Sequence, residues 1–248
     1  MSNRVYLYCT NFEGLPTEEQ SEEFFSMIGT EYEAAARIPL FWMCLFSEDD
    51  IQLSAGADAG TGDAAHPQRM DDGNDGSEGD EDDDFYDEED GDDEDRPHAY
   101  LSCERATGIA RLRQRSAMLR PALGAERHAL YAEWIARIEA EPWRHILVKT
   151  AELDMMSEAG ELEQELRRCY QDLAGLDARQ SWQMTAAMLN LAGLDPESAL
   201  DELPGWALAG SANSAMRWPP ELQQPPGKIP AAATGALRPE RPWWMFWK

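Results

Sequence analysis

The feature that most constrains this chain is an acidic run, Asp71–Asp95, in which 17 of 25 residues are carboxylates and none is Lys or Arg. The run supplies −17 of the formal net charge of −27, so the other residues carry 31 acidic and 21 basic side chains. Like charges at this density repel one another, and the run has too little apolar surface to offset the entropy lost on ordering. We therefore predict that it is a solvated, mobile insert.

Changes in composition along the sequence divide the chain into four parts. Low-complexity sequence rich in Ala, Gly and Asp predicts a disordered acidic insert over residues 54–97. Residues 1–53 and 98–203 together predict a single α+β domain, since their combined length suits one compact core. Residues 204–248 are rich in Pro and end in Trp-Trp-Met-Phe-Trp-Lys, which predicts an extended arm.

The strand patterns predict a small sheet of three to four strands packed against several helices, an α+β arrangement. Runs rich in β-branched and aromatic residues predict strands at 4–9, 98–103 and 145–153. The apolar run Leu40–Phe46 fits either a fourth strand or the buried start of a helix, because a continuous apolar sequence has no periodicity to decide between them.

The helix patterns depend on capping residues and on prolines. Thr17 as N-cap and Gln20 at the capping-box position predict the start of the first helix. Pro121 and Pro142 predict the ends of two later helices, because proline lacks the amide hydrogen that a helix interior needs. The predicted helices cover residues 17–36, 105–119, 125–140, 157–173 and 182–191.

The cysteines and the apolar runs indicate the cellular compartment of the protein. Cys9, Cys44, Cys103 and Cys169 lie far apart, without the spacing of a metal site. Two disulfides are arithmetically possible, and we favour reduced, half-buried thiols in a cytosolic protein. The longest apolar run, Ile38–Phe46, has about half the length of a membrane-spanning helix. With an N-terminal apolar stretch too short for a signal peptide, the sequence predicts a soluble, cytoplasmic protein without a membrane span.

The search for catalytic motifs gives no reaction. His66, His98, His128 and His145 do not have the spacing of a zinc motif, and the chain has no GxSxG, no phosphate loop and no GxGxxG after a strand. A hydrolase or transferase that uses dispersed carboxylates is compatible with this sequence and is kept as an alternative. We predict no catalytic residue, no cofactor and no metal site, and we interpret the chain as a binding protein.

Two segments are candidate partner-binding sites. The acidic run would steer a basic partner, because accumulated negative potential raises association rates, although it could equally be a solvated loop without a partner. The C-terminal aromatic tail would anchor on another protein, since Trp is frequent at interface hot spots, or it folds back onto its own domain. The negative charge argues against direct binding of nucleic acid or an anionic membrane. The predicted partner-binding residues are Asp82, Asp83, Asp84, Trp243, Trp244, Phe246 and Trp247.

The first strand carries a resemblance to known sequences. The opening Met-Ser-Asn-Arg-Val-Tyr-Leu-Tyr (Met1–Tyr8) resembles the start of a group of uncharacterised bacterial proteins that begin Met-x-Asn-Arg-x-Tyr-Leu-Tyr. The blocks Leu40–Trp42 and Ile146–Val148 are compatible with that group. The group has no assigned activity, so the resemblance implies no catalytic residue. In acidity, size and α+β character the chain is also similar to immunity proteins of bacterial toxin systems, by analogy alone.

These observations support three functional hypotheses. The favoured one is an immunity-like protein that neutralises a basic bacterial toxin by protein–protein contact, its carboxylates complementing a positive active-site cleft. The second is the hydrolase or transferase, and the third is an adaptor that binds a partner through its aromatic tail. Under the first hypothesis, deleting Asp71–Asp95 slows association more than it weakens the final complex.

Overall fold

The computed structural model describes residues 3–54 and 96–212, which form an α+β fold around a six-stranded antiparallel sheet. The predicted fold class is confirmed, and the predicted number of strands is too low. The strands are β1 (Arg4–Thr10), β2 (Glu31–Ala35), β3 (Ile51–Leu53), β4 (Ala99–Glu104), β5 (His145–Lys149) and β6 (Ser211–Ala212). Their order across the sheet is β3-β4-β5-β1-β2-β6, and each neighbouring pair is antiparallel.

The helices differ widely in length. The two longest, of 36 and 19 residues, contain most of the helical residues, and each of the others has four to seven residues. They are α1 (Ser21–Ser26), α2 (Leu40–Met43), α3 (Arg105–Ala140), α4 (Ala151–Asp154), α5 (Glu161–Arg179), α6 (Ala186–Ala192) and α7 (Gly205–Ala209).

The central strand β1 divides the molecule into two apolar clusters, because successive side chains of a strand point to opposite faces. Val5, Leu7 and Cys9 are fully buried on the first face, in the large core that holds the helices α2, α3 and α5. Tyr6 and Tyr8 lie on the second face, in a smaller cluster. The continuous apolar run after Pro39 resolves as the buried helix α2, one of its two predicted alternatives.

The first predicted helix is much too long. Its capping box at Thr17 is present, but it opens a single 3₁₀ turn that leads into α1, which ends at Ser26. Residues 31–35, predicted to be helical, form β2 instead, with Tyr32 and Ala34 buried and their neighbours facing the other side. The helical spacing of apolar residues here also fits period-two alternation, and pairing along β1 decides for the strand.

Two predicted helices are joined in α3, and their break falls at Gly124 rather than at Pro121. Gly124 has a left-handed φ of 63°, which glycine adopts without a Cβ penalty. The two halves fold back on each other. The Tyr131 hydroxyl donates to the Leu112 carbonyl at 3.0 Å, and the Arg113 guanidinium pairs with the Glu139 carboxylate, 26 residues later, at 2.6 Å. A straight helix would separate that last pair by about 39 Å.

Two further helices begin four residues later than predicted. The helix α5 starts after Gly160, which has a φ of 78°, and it continues to Arg179. The helix α6 starts after Thr185, whose side chain accepts a hydrogen bond from the Met188 amide at 3.4 Å. In both cases the sequence pattern predicts the helix but misplaces its first turn.

Residues 205–212, predicted as the start of an extended arm, belong to the fold. Trp42 Nε1 donates to the Ala209 carbonyl at 2.7 Å, which ties α7 to α2. Gly210 has a φ of 73°, and a Cβ added there would lie 2.5 Å from the Trp42 ring. A five-residue helix and a two-residue strand are too short to show periodicity in the sequence. The contact with Trp42 holds this segment against the core. The remaining arm, 213–248, lies outside the described residues.

The flanks of the predicted acidic insert meet at the end of the β3–β4 hairpin. The Ser54 amide donates to the His98 carbonyl at 2.9 Å, and the His98 amide donates to Ser54 Oγ at 2.9 Å. The insert therefore interrupts a hairpin between two adjacent strands of one sheet. Residues 55–95 lie outside the described part of the chain.

Candidate partner-binding surface

Five aromatic rings in contact with one another on the second face of the sheet form what we call the aromatic cluster, and Tyr100 of β4 lies on the same face. Tyr6 and Tyr8 project from β1 and stack with their centroids 6.0 Å apart. The segment 11–28 lies over this face and adds three phenylalanines. Phe24 meets Tyr8 edge to face at 5.3 Å, and Phe12 at 5.4 Å. The fifth ring, Phe25, meets Tyr8 at 6.5 Å.

The aromatic cluster is buried at one end and open at the other. Phe24 is 1% exposed and anchors the covering segment to the sheet. Phe25, the next residue, is 53% exposed, and Tyr6 is half-buried. A half-exposed phenylalanine continuous with a packed aromatic cluster is a ready contact surface, since aromatic rings bury large apolar area on binding.

The segment that carries this cluster is strongly acidic. Residues 11–36 contain seven glutamates and no Lys, Arg or His. Those on the first helical turns are exposed, and those on β2 are half-buried beside the tyrosines. The seven are Glu13, Glu18, Glu19, Glu22, Glu23, Glu31 and Glu33.

The strand register places carboxylates directly beside the two tyrosines. Glu33 lies opposite Tyr6, and Glu31 lies opposite Tyr8. Arg4 Nη1 pairs with Glu33 at 2.5 Å, and the Arg4 amide donates to Glu152 at 2.7 Å. A second cation, the half-buried Lys149, faces Tyr6 from β5. The surface thus has two cations beside the sheet and a wider rim of glutamates.

Burial and neighbouring carboxylates together raise the pKa values of the two tyrosines. Burial and then the charge of Glu152 raise the pKa of Tyr6, against the opposing effect of Arg4. Burial and then the charge of Glu31 raise the pKa of Tyr8. Both hydroxyls therefore stay protonated at neutral pH, and the carboxylates around them favour a positively charged neighbour.

The four cysteines do not form a reactive site. The structure confirms them as free thiols, and all are fully buried rather than half-buried. Burial raises the pKa of Cys44 to about 12, and it also raises the pKa of Cys9, Cys103 and Cys169. A thiol reacts as the thiolate, so these side chains act as core packing.

The Ser–His contacts have structural roles. His128 Nε2 lies 3.0 Å from Ser116 Oγ and also 3.2 Å from the Ser116 carbonyl, so it joins the two halves of α3. Ser54 Oγ lies 2.9 Å from His98 Nδ1 within the hairpin contact described above. Across residues 3–54 and 96–212, no group of three or more His, Cys, Asp or Glu side chains is placed to hold a metal ion. None of the helices in these ranges has both the length and the apolarity needed to cross a membrane.

The residues predicted from sequence as partner-binding fall outside the described part of the chain. They remain predictions. They are Asp82, Asp83, Asp84, Trp243, Trp244, Phe246 and Trp247. Sequence reasoning missed the surface described here, although the pair Phe24–Phe25 among exposed glutamates was a usable signal.

Comparisons with known proteins assign this chain to no family. No match was found among protein-family models, curated proteins or solved structures.

Proposed function

We propose that this protein is a cytoplasmic, immunity-like binding protein that neutralises a basic bacterial toxin by covering it with the second face of the sheet. The observation that carries the proposal is the half-exposed Phe25, continuous with the aromatic cluster, in a segment with seven glutamates and no basic residue. Such a surface offers apolar anchors at its centre and negative charge at its rim, which is the usual anatomy of a binding site for a basic partner.

The rings and the carboxylates have different roles in this proposal. Completing the burial of the Phe25 ring contributes part of the roughly 1.5–3 kcal/mol that full burial of a phenylalanine is worth. The rim glutamates contribute mainly association rate and selection against acidic partners. Affinity then resides in the aromatic cluster, and the preference for a basic partner resides in the rim.

The acidic run Asp71–Asp95 extends the same charge preference to longer range. It interrupts the β3–β4 hairpin, so it is covalently attached to the sheet that carries the aromatic cluster. Replacing it with a neutral Gly/Ser sequence of equal length is expected to lower the association rate roughly tenfold at low salt and to leave the dissociation rate unchanged. A faster dissociation with an unchanged association rate would contradict this role.

The proposal is tested by co-purification with the proteins encoded beside its gene, at low and at high salt. We expect a basic partner that binds more weakly as salt rises, and whose toxicity co-expression suppresses. Phe25→Ser is expected to weaken the complex about four- to fifteenfold, since about half of the full burial energy of the ring is lost. The matched control is Leu53→Ser, since Leu53 on the edge strand β3 is 55% exposed and lies outside the cluster.

Two outcomes would overturn the proposal. One is a well-folded sample that binds none of those proteins at either salt concentration. The other is a complex that Phe25→Ser leaves intact but that is lost when Trp243 and Trp244 are replaced by serine. The latter would favour the adaptor hypothesis.

A further inference from the structure

Two arginines are buried to almost the same depth but differ in their hydrogen bonds. Arg115 is 4% exposed, and its guanidinium donates to Asp177 and to the carbonyls of Cys44 and Phe46 at 2.7–3.1 Å. Arg37 is 6% exposed, and within residues 3–54 and 96–212 it has no carboxylate or carbonyl partner. Buried charges in folded proteins are normally paired, so Arg37 requires an explanation.

A second buried donor without an acceptor lies beside Arg37. The Arg37 guanidinium stacks on the ring of Trp206, 4.8 Å from its centroid, and Trp206 is 5% exposed. Neither Arg37 Nε nor Trp206 Nε1 has a hydrogen-bond partner among the described residues. The two side chains are in contact, and each has a buried N–H donor without an acceptor.

The backbone holds Arg37 firmly in this position. The preceding residue, Ala36, has a left-handed φ of 49°, which is unfavourable for a residue with a Cβ. The Ala36 amide donates to the Asn3 carbonyl at 2.7 Å, and the Ile38 amide donates to the Leu191 carbonyl at 2.7 Å. A strained residue fixed from both sides indicates that the orientation of Arg37 is imposed by the fold.

We propose that Arg37 and Trp206 form a binding site for a carboxylate, which accepts hydrogen bonds from Arg37 Nε and Trp206 Nε1. The edge of a guanidinium matches the two oxygens of a planar carboxylate, and the indole N–H adds a third donor. Because both side chains are almost completely buried, we expect the ligand to be a small carboxylate. A single negative charge is also favoured over a phosphate dianion, because the chain itself carries −27.

The charge state of Arg37 is consistent with this ligand. Burial lowers the pKa of Arg37 to about 10, so the guanidinium is still positively charged at neutral pH. A carboxylate would compensate that buried charge. Burial also lowers the pKa of Arg115, but its hydrogen bonds to Asp177 and the neighbouring charges outweigh this effect, so that its pKa is raised.

The carboxylate has two possible sources with the same chemistry. One is a free monocarboxylate from solution. The other is a side chain of residues 213–248, the sequence that follows β6, in which Glu221 and Glu240 are the two acidic residues. The experiment below distinguishes the two sources.

The test follows the ¹H–¹⁵N signals of Arg37 Nε and Trp206 Nε1 in the full-length protein, with Arg115 Nε as the internal control. If the ligand comes from solution, sodium acetate shifts both signals saturably, and sodium chloride at equal ionic strength does not. If the ligand is in the chain, acetate has little effect and Glu221→Gln or Glu240→Gln shifts them. The proposal is overturned if neither acetate nor either variant moves the two signals more than that of Arg115.

A variant series provides a second, independent readout of the acetate case. Acetate at about ten times its Kd is expected to raise Tm by roughly 3–6 °C in the unmodified protein. Arg37→Met should remove this rise, and Trp206→Phe, which keeps the ring but removes the N–H donor, should reduce it. An undiminished rise in Trp206→Phe and in Arg37→Met would place the acetate elsewhere; if Arg37→Met does not fold, the Trp206→Phe result decides alone.

Discussion

The two faces of the sheet are built from the same strand but are covered to very different extents. On the first face, Val5 and Leu7 are fully buried under the helices. On the second face, Tyr6 is half-buried, and the covering segment leaves Phe25 53% exposed. The first face therefore supplies most of the apolar burial that stabilises the fold, whereas the second face keeps aromatic surface and carboxylates available for contact. Substitutions on the two faces should accordingly separate stability from binding.

The largest effect is expected on the first face, at Trp42. This side chain is fully buried and donates to the Ala209 carbonyl, so Trp42→Ala removes a large ring and the tie to α7. We expect the free energy of unfolding to fall by about 3–5 kcal/mol, measured by urea denaturation. A loss below about 1 kcal/mol would show that this face is not the main source of stability.

The next largest effect is expected at Gly210, which packs against the same ring. A methyl group there would lie 2.5 Å from Trp42 and would have to adopt a φ of 73°. Gly210→Ala should lower the free energy of unfolding by about 1–3 kcal/mol, because the methyl group clashes with the Trp42 ring and alanine is strained at this φ. Gly160→Ala is the control for φ alone, since Gly160 has a φ of 78° and no neighbour within 4 Å.

A smaller effect on stability and a larger one on binding are expected at Tyr6 on the second face. Tyr6→Ala should cost about 1 kcal/mol of stability, since the ring is only half-buried. The same variant should weaken the partner complex at least tenfold, as measured by calorimetry. Leu53→Ser on the edge strand β3 is the control, since Leu53 is 55% exposed and lies outside the aromatic cluster, and it should change neither quantity. Equal losses of stability and affinity would mean that the two faces do not differ in role.

The smallest effect is expected from the glutamates beside the tyrosines. The double variant Glu31→Gln, Glu152→Gln keeps the shape of both side chains and removes two charges. We expect stability to change by less than about 0.5 kcal/mol and the association rate to fall about two- to fivefold at low salt. Stopped-flow association at two salt concentrations measures this. A dissociation rate that rises instead would assign these glutamates to the core of the interface.

The sequence predicted the parts of this fold that have strong local patterns. The central strand was recognisable from its alternating aromatic and β-branched residues, and the acidic run from its charge. The strand β2 was missed because Glu31–Ala35 is rich in Ala and Glu, which are weak strand formers. Its pairing with β1 and β6, which the local sequence does not reveal, selects the strand. The short elements α7 and β6 were missed because their contacts with distant Trp42 define them.

The candidate surface was harder to predict than the fold. Tyr6, Phe25 and Glu152 come from three distant segments, and only the folded chain brings them to one face. Arg37 is not among the residues singled out from the sequence, because it follows the predicted helix 17–36 and belongs to no motif. Its burial depends on α7, an element that the sequence pattern did not reveal.

The most direct test of the second face as a binding surface is amide hydrogen exchange of the full-length protein, free and bound to its basic partner. The proposal predicts that added protection is concentrated in α1 and in the strands β1 and β2, and that the first-face helix α5 is unchanged. Protection confined to residues 213–248, with α1 exchanging as in the free protein, would contradict it.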